Sequence, residues 1–378
     1  MKSIIIIGSG ILGASTAYHL AKEGADVSII DRQEPGQATN AAAGIVCPWL
    51  SQRRNKVWYR LAKGGAKYYP DLIDQLTKDG ETETGYKKVG AISLHTDEAK
   101  LDKMIDRAIK RREDAPEIGE IKKLSAEETQ KLFPPIAPVY QSVFVSGAAR
   151  VNGSALRKSL LHAAEKYGAK NRIGDAKLIY TGKEVTGVSI ANERIDADQV
   201  IMTAGVWAQE LLAPLGLQFK VTSQKAQIVH LEMIDQKTDE WPVVMPPNDQ
   251  YLLSFDDGRV VVGATHENDV GLDYRVTAGG LSEIFSKALA VAPGLATSTL
   301  LDTKVGFRPF TPGFLPVFGH VPGVKGLLAA NGLGASGLTV GPYLGLEMAR
   351  LALGKETDLD PADYDISGAI EFDYNRSI

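Results

Sequence analysis

Three glycines and one acid near the start of the chain have the types and spacing to hold a phosphate-rich ligand. In "IIIIGSGILGAST", residues 4 to 16, Gly8, Gly10 and Gly13 fall at the spacing G-x-G-x-x-G, and Asp31 follows 18 residues after Gly13. A tight turn at Gly8, close backbone approach to a pyrophosphate at Gly10 and close helix-on-strand packing at Gly13 each require the missing Cβ. An acid at that distance accepts hydrogen bonds from a ribose diol. A second reactive type stands near the other end, in Phe307-Arg308-Pro309. The proline holds Arg308 extended, and its guanidinium fork suits bidentate capture of a carboxylate. On residue type alone, an ordinary salt bridge is the stronger reading of Arg308.

The elements that must position these groups are legible around them. Residues 4 to 7 are a β-branched run suited to a strand buried on both faces. A helix from about Leu12 to Glu23 would aim its N–H groups and positive dipole end at the pyrophosphate, with Gly24 placed to stop it. "ADVSIIDR" then supplies a second strand ending at Asp31. The unit binds a dinucleotide but does not choose between FAD and NAD. "GQATNAAAGIVCPW", residues 36 to 49, has almost no bulk before Ile45, as a chain must if it passes closely along an extended cofactor. A nicotinamide dehydrogenase would continue with another strand–helix unit.

Composition narrows the class. The 378 residues are 44% hydrophobic, enough for a large core and for two domains. Basic and acidic residues number 42 and 46, giving a net charge of −4 without long runs of one sign. Neither nucleic acid nor an anionic membrane is expected as a partner. Lys110, Arg111 and Arg112 are followed at once by Glu113 and Asp114, which reads as a solvated helix face. The single cysteine, Cys47, excludes an internal disulfide and a Cys-rich metal site, and no metal is expected. It fits a reducing, cytoplasmic location. Glycines interrupt the opening apolar run and only Lys2 precedes it, so it reads as part of the fold rather than a signal peptide. No stretch is apolar for long enough to span a bilayer as a helix.

At the small-residue loop the sequence resembles the D-amino acid oxidase-like family of FAD enzymes, which includes glycine and sarcosine oxidases and D-amino acid dehydrogenases. Its members carry a similar "AAG" loop beside the flavin. Three more segments are similar to the family's pattern in the same order: "ADQVIMTAGVWAQELLAPLG" at 197 to 216, "VGFRPFTPGFLPVFG" at 305 to 319 and "GLLAANGLGASGLTVGPYLG" at 326 to 345. The resemblance implies non-covalent FAD and a set of contacts. The first turn would contribute Gly8, Gly10, Ile11, Leu12 and Gly13, and the second strand Asp31 and Arg32. Thr39, Asn40, Ala42, Ala43 and Gly44 would follow the flavin. Ala204, Gly205 and Trp207 form a later contact, and Ala176 is either near the adenine or a plain strand residue. Gly332, Gly334, Ala335 and Ser336 lead into a helix beginning with Gly337, Leu338 and Thr339. Its positive end would face the flavin pyrimidine, where negative charge gathers on reduction.

The implied reaction is oxidation of a C–N bond in an amino acid or related amine. Arg308, which the resemblance turns toward substrate, would hold the carboxylate, and a hydride would pass to flavin N5, leaving an imine that water hydrolyses. Tyr251 is equally well a carboxylate ligand or a core aromatic, and His266 is a substrate contact or a structural histidine. No catalytic acid or base is named, because the amine lone pair drives hydride departure. The electron acceptor, oxygen or a quinone or carrier, stays open, as does oligomeric state. Two alternatives stand beside this reading. One is oxidation of a 2-hydroxy acid or other alcohol with His266 as base; the other is a flavoprotein without catalysis.

Departures from the family pattern bear on the substrate. Ala335 stands where glycine oxidases place a second arginine, and Leu333 where amino acid dehydrogenases often have histidine. Phe314 replaces the glycine of the common Thr-Pro-Asp-Gly and is expected to make the region more apolar, favouring a bulkier amine. The cysteine that attaches flavin in sarcosine oxidases would lie near Phe307, whereas Cys47 is in another segment and reads as a small buried residue beside the cofactor.

The expected fold is α/β (α+β overall), a Rossmann-like FAD-binding domain interleaved with a β-sheet-based substrate domain. Residues 1–85, 140–215 and 304–378 would build the first, and 86–139 and 216–303 the second. "GYKKVGAISLHT" opens the second domain as a strand pair, and 97 to 133 is a helical excursion. "QYLLSFDDGRVVVGATHE" reads as a hairpin about Asp257-Gly258, with Tyr251, Leu253 and Phe255 on one face.

Overall fold

The four opening isoleucines form the middle of a six-stranded sheet and divide between its two faces. Ile4 and Ile6 enter one buried cluster, Ile5 and Ile7 the other, which is why a continuous β-branched run is needed here rather than an alternating one. A computed structural model describes residues 1–372 of the chain. In its first sheet the strand order is Val317–His320, Leu327–Asn331, Gln199–Met202, Ser3–Ile7, Asp26–Asp31 and Lys170–Ile173. Neighbours are parallel except Val317–His320.

Helices Ile11–Lys22, Lys56–Lys78, Gly153–Lys166 and Gly337–Ala352 pack together on one face. The first and last of these approach closely because both are lined with small residues. A Cβ on Gly345 would lie 2.5 Å from Ser15 Cβ, and one on Gly341 2.8 Å from Ile11 Cγ2. A three-stranded antiparallel sheet, Ala176–Thr181, Glu184–Ile190 and Glu193–Asp196, contributes to the core on the other face.

The second large sheet has eight strands, in the order Thr299–Phe310, Thr222–Glu232, Arg259–Gly263, Tyr251–Ser254, Val243–Met245, Ala91–His95, Gln141–Val145 and Ile121–Leu124. The hairpin turns at Asp257 and Gly258, both with positive φ (59° and 74°), as its tight two-residue geometry demands. Leu253 and Phe255 share one core cluster with Tyr251 against it, and Leu252 belongs to another.

Three expectations are corrected. Lys87–Lys88 and Ala91–His95 do not pair with each other: the first joins Ala149–Arg150 in a small three-stranded sheet, and the second enters the large one. The excursion 97 to 133 is not wholly helical, because Ile121–Leu124 forms an edge strand between helices Glu98–Arg112 and Ala126–Leu132. The sheet also crosses the expected divisions at 140 and 304. Gln141–Val145 and the whole of Thr299–Phe310 lie in it. That last strand is clamped to the cofactor side: Phe307 N donates to Gly36 O at 2.9 Å, and a Cβ on Gly306 would be 2.8 Å from Ala41 Cβ. Part of the small-residue loop is therefore small to admit this strand.

Candidate active site

A cavity of about 790 Å³ runs from the glycine turn, past Ala42 to Gly44, to the inner face of the large sheet. That volume lies toward the upper end of roughly 300–1,000 Å³ for cofactor and ligand sites. Its walls come from both sheets, so the strand ends and loops decide what it binds.

At the turn each glycine has a different constraint. Gly8 has φ +101°, and a Cβ there would sit 2.7 Å from Thr203 O. On Gly13 a Cβ would lie 1.9 Å from Gly8 O and 2.6 Å from Thr203 Oγ1, so this glycine packs helix on turn and does not line the cavity. Gly10 differs. A Cβ there would meet only Thr39 Oγ1, at 3.4 Å, and the position faces the cavity. Open space before the start of a 12-residue helix is what a pyrophosphate requires.

Asp31 lines the cavity, yet its carboxylate is already committed. Ser9 N and Oγ donate to Oδ2 at 2.6 and 2.9 Å, and Gln33 N and Gln37 Nε2 to Oδ1 at 2.6 and 2.9 Å. These occupy the four acceptor positions of a carboxylate. A ribose diol bound there would displace one of these donors. Arg157, which sequence reasoning missed, donates to Ser9 O and Ser9 Oγ from helix Gly153–Lys166 and braces the same turn. Arg32 pairs with Glu34, Glu210 and Asp175 at 3.0, 2.8 and 3.4 Å and lies over the Trp207 ring, closing the end of the cavity bordered by Ala176.

Of the other segments expected to hold the cofactor, most residues line the cavity and some do not. Thr39, Ala42, Ala43, Gly44, Ala204 and Gly205 line the cavity, as do Ile11 and Leu12. Thr39 Oγ1 accepts from Ile11 N at 3.0 Å, so one N–H of the helix start is met by protein. Asn40 faces away, bonded to Gln37 and Ser154. In the closing loop Gly334, Ala335, Gly337, Leu338 and Thr339 reach the cavity. Gly332 does not; it turns at φ +79° against Thr311. Ser336 accepts from Trp58 Nε1 at 3.2 Å instead. Asn331, also missed, ties this loop to the neighbouring segment by donating to Gly205 O at 2.8 Å. Cys47 is buried but does not line the cavity, and burial pushes its thiol up to about 12.

At the sheet end Arg308, Tyr251 and His266 come together with Asp249 and Ala226. Arg308 Nη1 donates to Gln224 Oε1 at 2.9 Å, its partner directly across the strand pair, and reaches Thr265 O at 3.5 Å. Tyr251 hydroxyl sits beside the guanidinium, and burial pushes that hydroxyl up to about 12 while Arg308 pulls it down. Burial lowers Arg308 as well. Among the described residues no Asp or Glu forms a salt bridge with it. A partly buried cation without a counter-charge is costly unless a ligand supplies one. His266 is half-buried, its Nδ1 3.6 Å from Asp249 Oδ2, and burial followed by Arg308 holds it below the usual histidine range. Leu333 and Ala335 bring apolar surface here, whereas Phe314 is 62% exposed and packs on Phe310 outside the cavity, correcting its expected role.

No cluster of His, Cys, Asp or Glu among the described residues could hold a metal, and no helix among them is long and apolar enough to cross a membrane.

Comparison with known proteins agrees with this geometry. The chain is 68% identical to the uncharacterized oxidoreductase YurR of Bacillus subtilis (strain 168), over 98% of this chain and 100% of that one. It is 28% identical to a glycine oxidase of Pseudomonas aeruginosa, again over 98% and 100%. The crystal structure of iminodiacetate oxidase from Chelativorans sp. BNC1 superposes with a TM-score of 0.93 at 46% identity, covering 96% of this chain and 98% of that one. That of glycine oxidase from Geobacillus kaustophilus gives 0.84 at 25% identity, covering 97% and 99%. The family model for FAD dependent oxidoreductases (DAO) matches residues 3–351. The chain belongs to the D-amino acid oxidase-like (DAO) family of FAD-dependent oxidoreductases.

Proposed function

We propose that this oxidoreductase acts on the C–N bond of an amino acid or related amine whose nitrogen is one carbon from a carboxylate. The observation that carries the reading is Arg308, partly buried in the cavity wall with no carboxylate of the described residues paired with it. Glycine and iminodiacetate, named for two similar enzymes, share that nitrogen-to-carboxylate spacing. FAD, for which the glycine turn, the 42–44 loop and the closing loop leave room, supplies the hydride acceptor when bound.

The chain's own residues bind and orient. Gln224 and Tyr251 hold the Arg308 guanidinium, whose fork fixes the substrate carboxylate and so the direction of the Cα–H bond. Leu333 and Ala335 leave apolar room and no second cation at the closing loop, which favours a substrate with an apolar or N-substituted remainder over glycine itself. Activity confined strictly to glycine would contradict that preference. The amine reading is tested by anaerobic bleaching of the flavin band against N-substituted glycines, D- and L-amino acids, proline and 2-hydroxy acids. Reduction by amines and not by hydroxy acids is expected; the reverse pattern establishes the alcohol-oxidising alternative.

A further inference from the structure

A second hollow, of about 500 Å³, lies beside the cofactor cavity and shares Glu34, Gln37 and Ala41 with its wall. Two cations from distant segments, Arg157 and Lys304, meet over it. Their convergence follows from the packing of the single turn Ala38–Ala41. On one side Gly153 admits the turn, since a Cβ there would lie 2.6 Å from Thr39 O, and Arg157 is four residues further along the same helix face. On the other side Gly306 admits it, its Cβ position 2.8 Å from Ala41 Cβ, and Lys304 is two residues back on the same face of strand Thr299–Phe310. One strand face therefore carries Arg308 to the main cavity and Lys304 to the hollow.

Neither cation has an ion-pair partner among the described residues. Arg157 directs Nε and Nη2 to Ser9 O and Oγ, both neutral, and its Nη1 makes no hydrogen bond among those residues. Glu34, on the same wall, pairs with Arg32 at 3.0 Å. Two like charges brought to one concave, half-buried place repel, and an anion set between them removes that cost. The volume falls within the roughly 300–1,000 Å³ of small-molecule sites, and the amides of Gln33, Gln37 and Asn40 make the wall polar.

Arg157 also connects the hollow to the cofactor site. It holds Ser9, whose N and Oγ donate to Asp31 Oδ2 at 2.6 and 2.9 Å, and Ser9 adjoins Gly10, where space is kept for the pyrophosphate. A negative charge seated on Arg157 cancels a cation beside that pyrophosphate and repels it. We propose that the hollow is an effector site for a small polyanion, bearing two or more carboxylate or phosphate charges and held by Arg157 and Lys304, whose binding weakens the hold on FAD. The site is independent of which amine is oxidised.

The test is calorimetric titration of holoenzyme with citrate and with inorganic phosphate, at an ionic strength held constant with chloride. The proteins compared are the wild type, Lys304→Met, Lys304→Glu and Arg308→Met. The wild type is expected to show one saturable site of millimolar affinity or tighter, weakened about tenfold or more in Lys304→Met and lost in Lys304→Glu. Arg308→Met should keep it, which separates the hollow from the carboxylate anchor of the main cavity. Tighter binding of citrate supports the site as one for clustered carboxylates, and tighter binding of phosphate as one for a phosphate group. The dissociation constant of FAD should rise about fivefold and level off as the anion saturates, and stay flat in Lys304→Glu. Absence of a saturable site on wild-type holoenzyme overturns the proposal. So does a site that survives both Lys304 variants or disappears in Arg308→Met, and so does an FAD constant that climbs without limit, the mark of competition at the pyrophosphate.

Discussion

Two glycines three residues apart should respond oppositely to the same methyl group. In Gly13→Ala the new Cβ would lie 1.9 Å from Gly8 O, a backbone atom of the same turn, and 2.6 Å from Thr203 Oγ1. An ordinary C···O contact is about 3.3 Å, so helix and turn must separate by about 1.4 Å. Overpacking of this kind costs about 1–3 kcal/mol, and the upper end applies because the obstacle is backbone. The apoprotein should melt about 3 °C lower or more, with FAD binding weakened as a consequence. Gly10→Ala meets only Thr39 Oγ1 at 3.4 Å and has φ −62°, which alanine adopts freely. Its apoprotein should lie within about 1 kcal/mol of the wild type. The methyl group nevertheless fills the space kept for the pyrophosphate, and FAD affinity should fall about tenfold or more, or about 1.4 kcal/mol. Differential scanning of the apoproteins and titration with FAD by flavin fluorescence separate the two. Wild-type FAD affinity in Gly10→Ala, or wild-type melting in Gly13→Ala, would refute the roles assigned to them.

Arg308→Met should raise KM for a carboxylate-bearing amine about 30-fold or more, equivalent to about 2 kcal/mol. Its melting temperature should not fall, since the side chain removed is a cation without a counter-charge among the described residues; Arg308→Lys, charged but without the fork, should be intermediate in KM. His19 is buried against Tyr68 hydroxyl at 2.8 Å and held down to about 3 by burial. Its folded value is below the unfolded one, so the stability it permits is full above pH 6.5 and is lost as pH falls toward about 3, at up to about 1.4 kcal/mol per pH unit. His19→Gln should flatten the fall in melting temperature between pH 7 and 5 (roughly the range where unfolded histidine titrates). Cys47, with its buried thiol pushed up to about 12, should resist alkylation until the chain unfolds, and mass spectrometry of the denatured chain should find no flavin adduct.

What the sequence disclosed and what it hid follow from the range of the interactions. The glycine turn, the first helix, the strand to Asp31 and the Asp257-Gly258 hairpin are set by neighbours in the chain, and all could be read. Ile121–Leu124 could not: four residues, two of them lysine, become a strand only because Gln141–Val145 offers an open edge. Lys87–Lys88 found a partner about sixty residues away rather than the strand beside it. The site shows the same division. Arg308 carries its chemistry in its side chain, but Gln224, which orients it, is 84 residues distant and is an ordinary strand residue in sequence. Arg157 meets Ser9 across 148 residues, and Asp249 meets His266 through a fold of the hairpin, with no local pattern to announce either. Asp31 is the instructive case. Its position was legible, but the four protein donors that surround it were not.

The central claim, that Arg308 anchors a carboxylate beside the reacting C–N bond, is tested most directly by one comparison. Anaerobic flavin reduction would be followed in the wild type and in Arg308→Met with one reducing amine presented as the free acid and as its carboxamide. The account predicts that the wild type binds the free acid about tenfold or more tightly than the carboxamide, and that Arg308→Met does not distinguish them. Equal preference for the free acid in both proteins would contradict it.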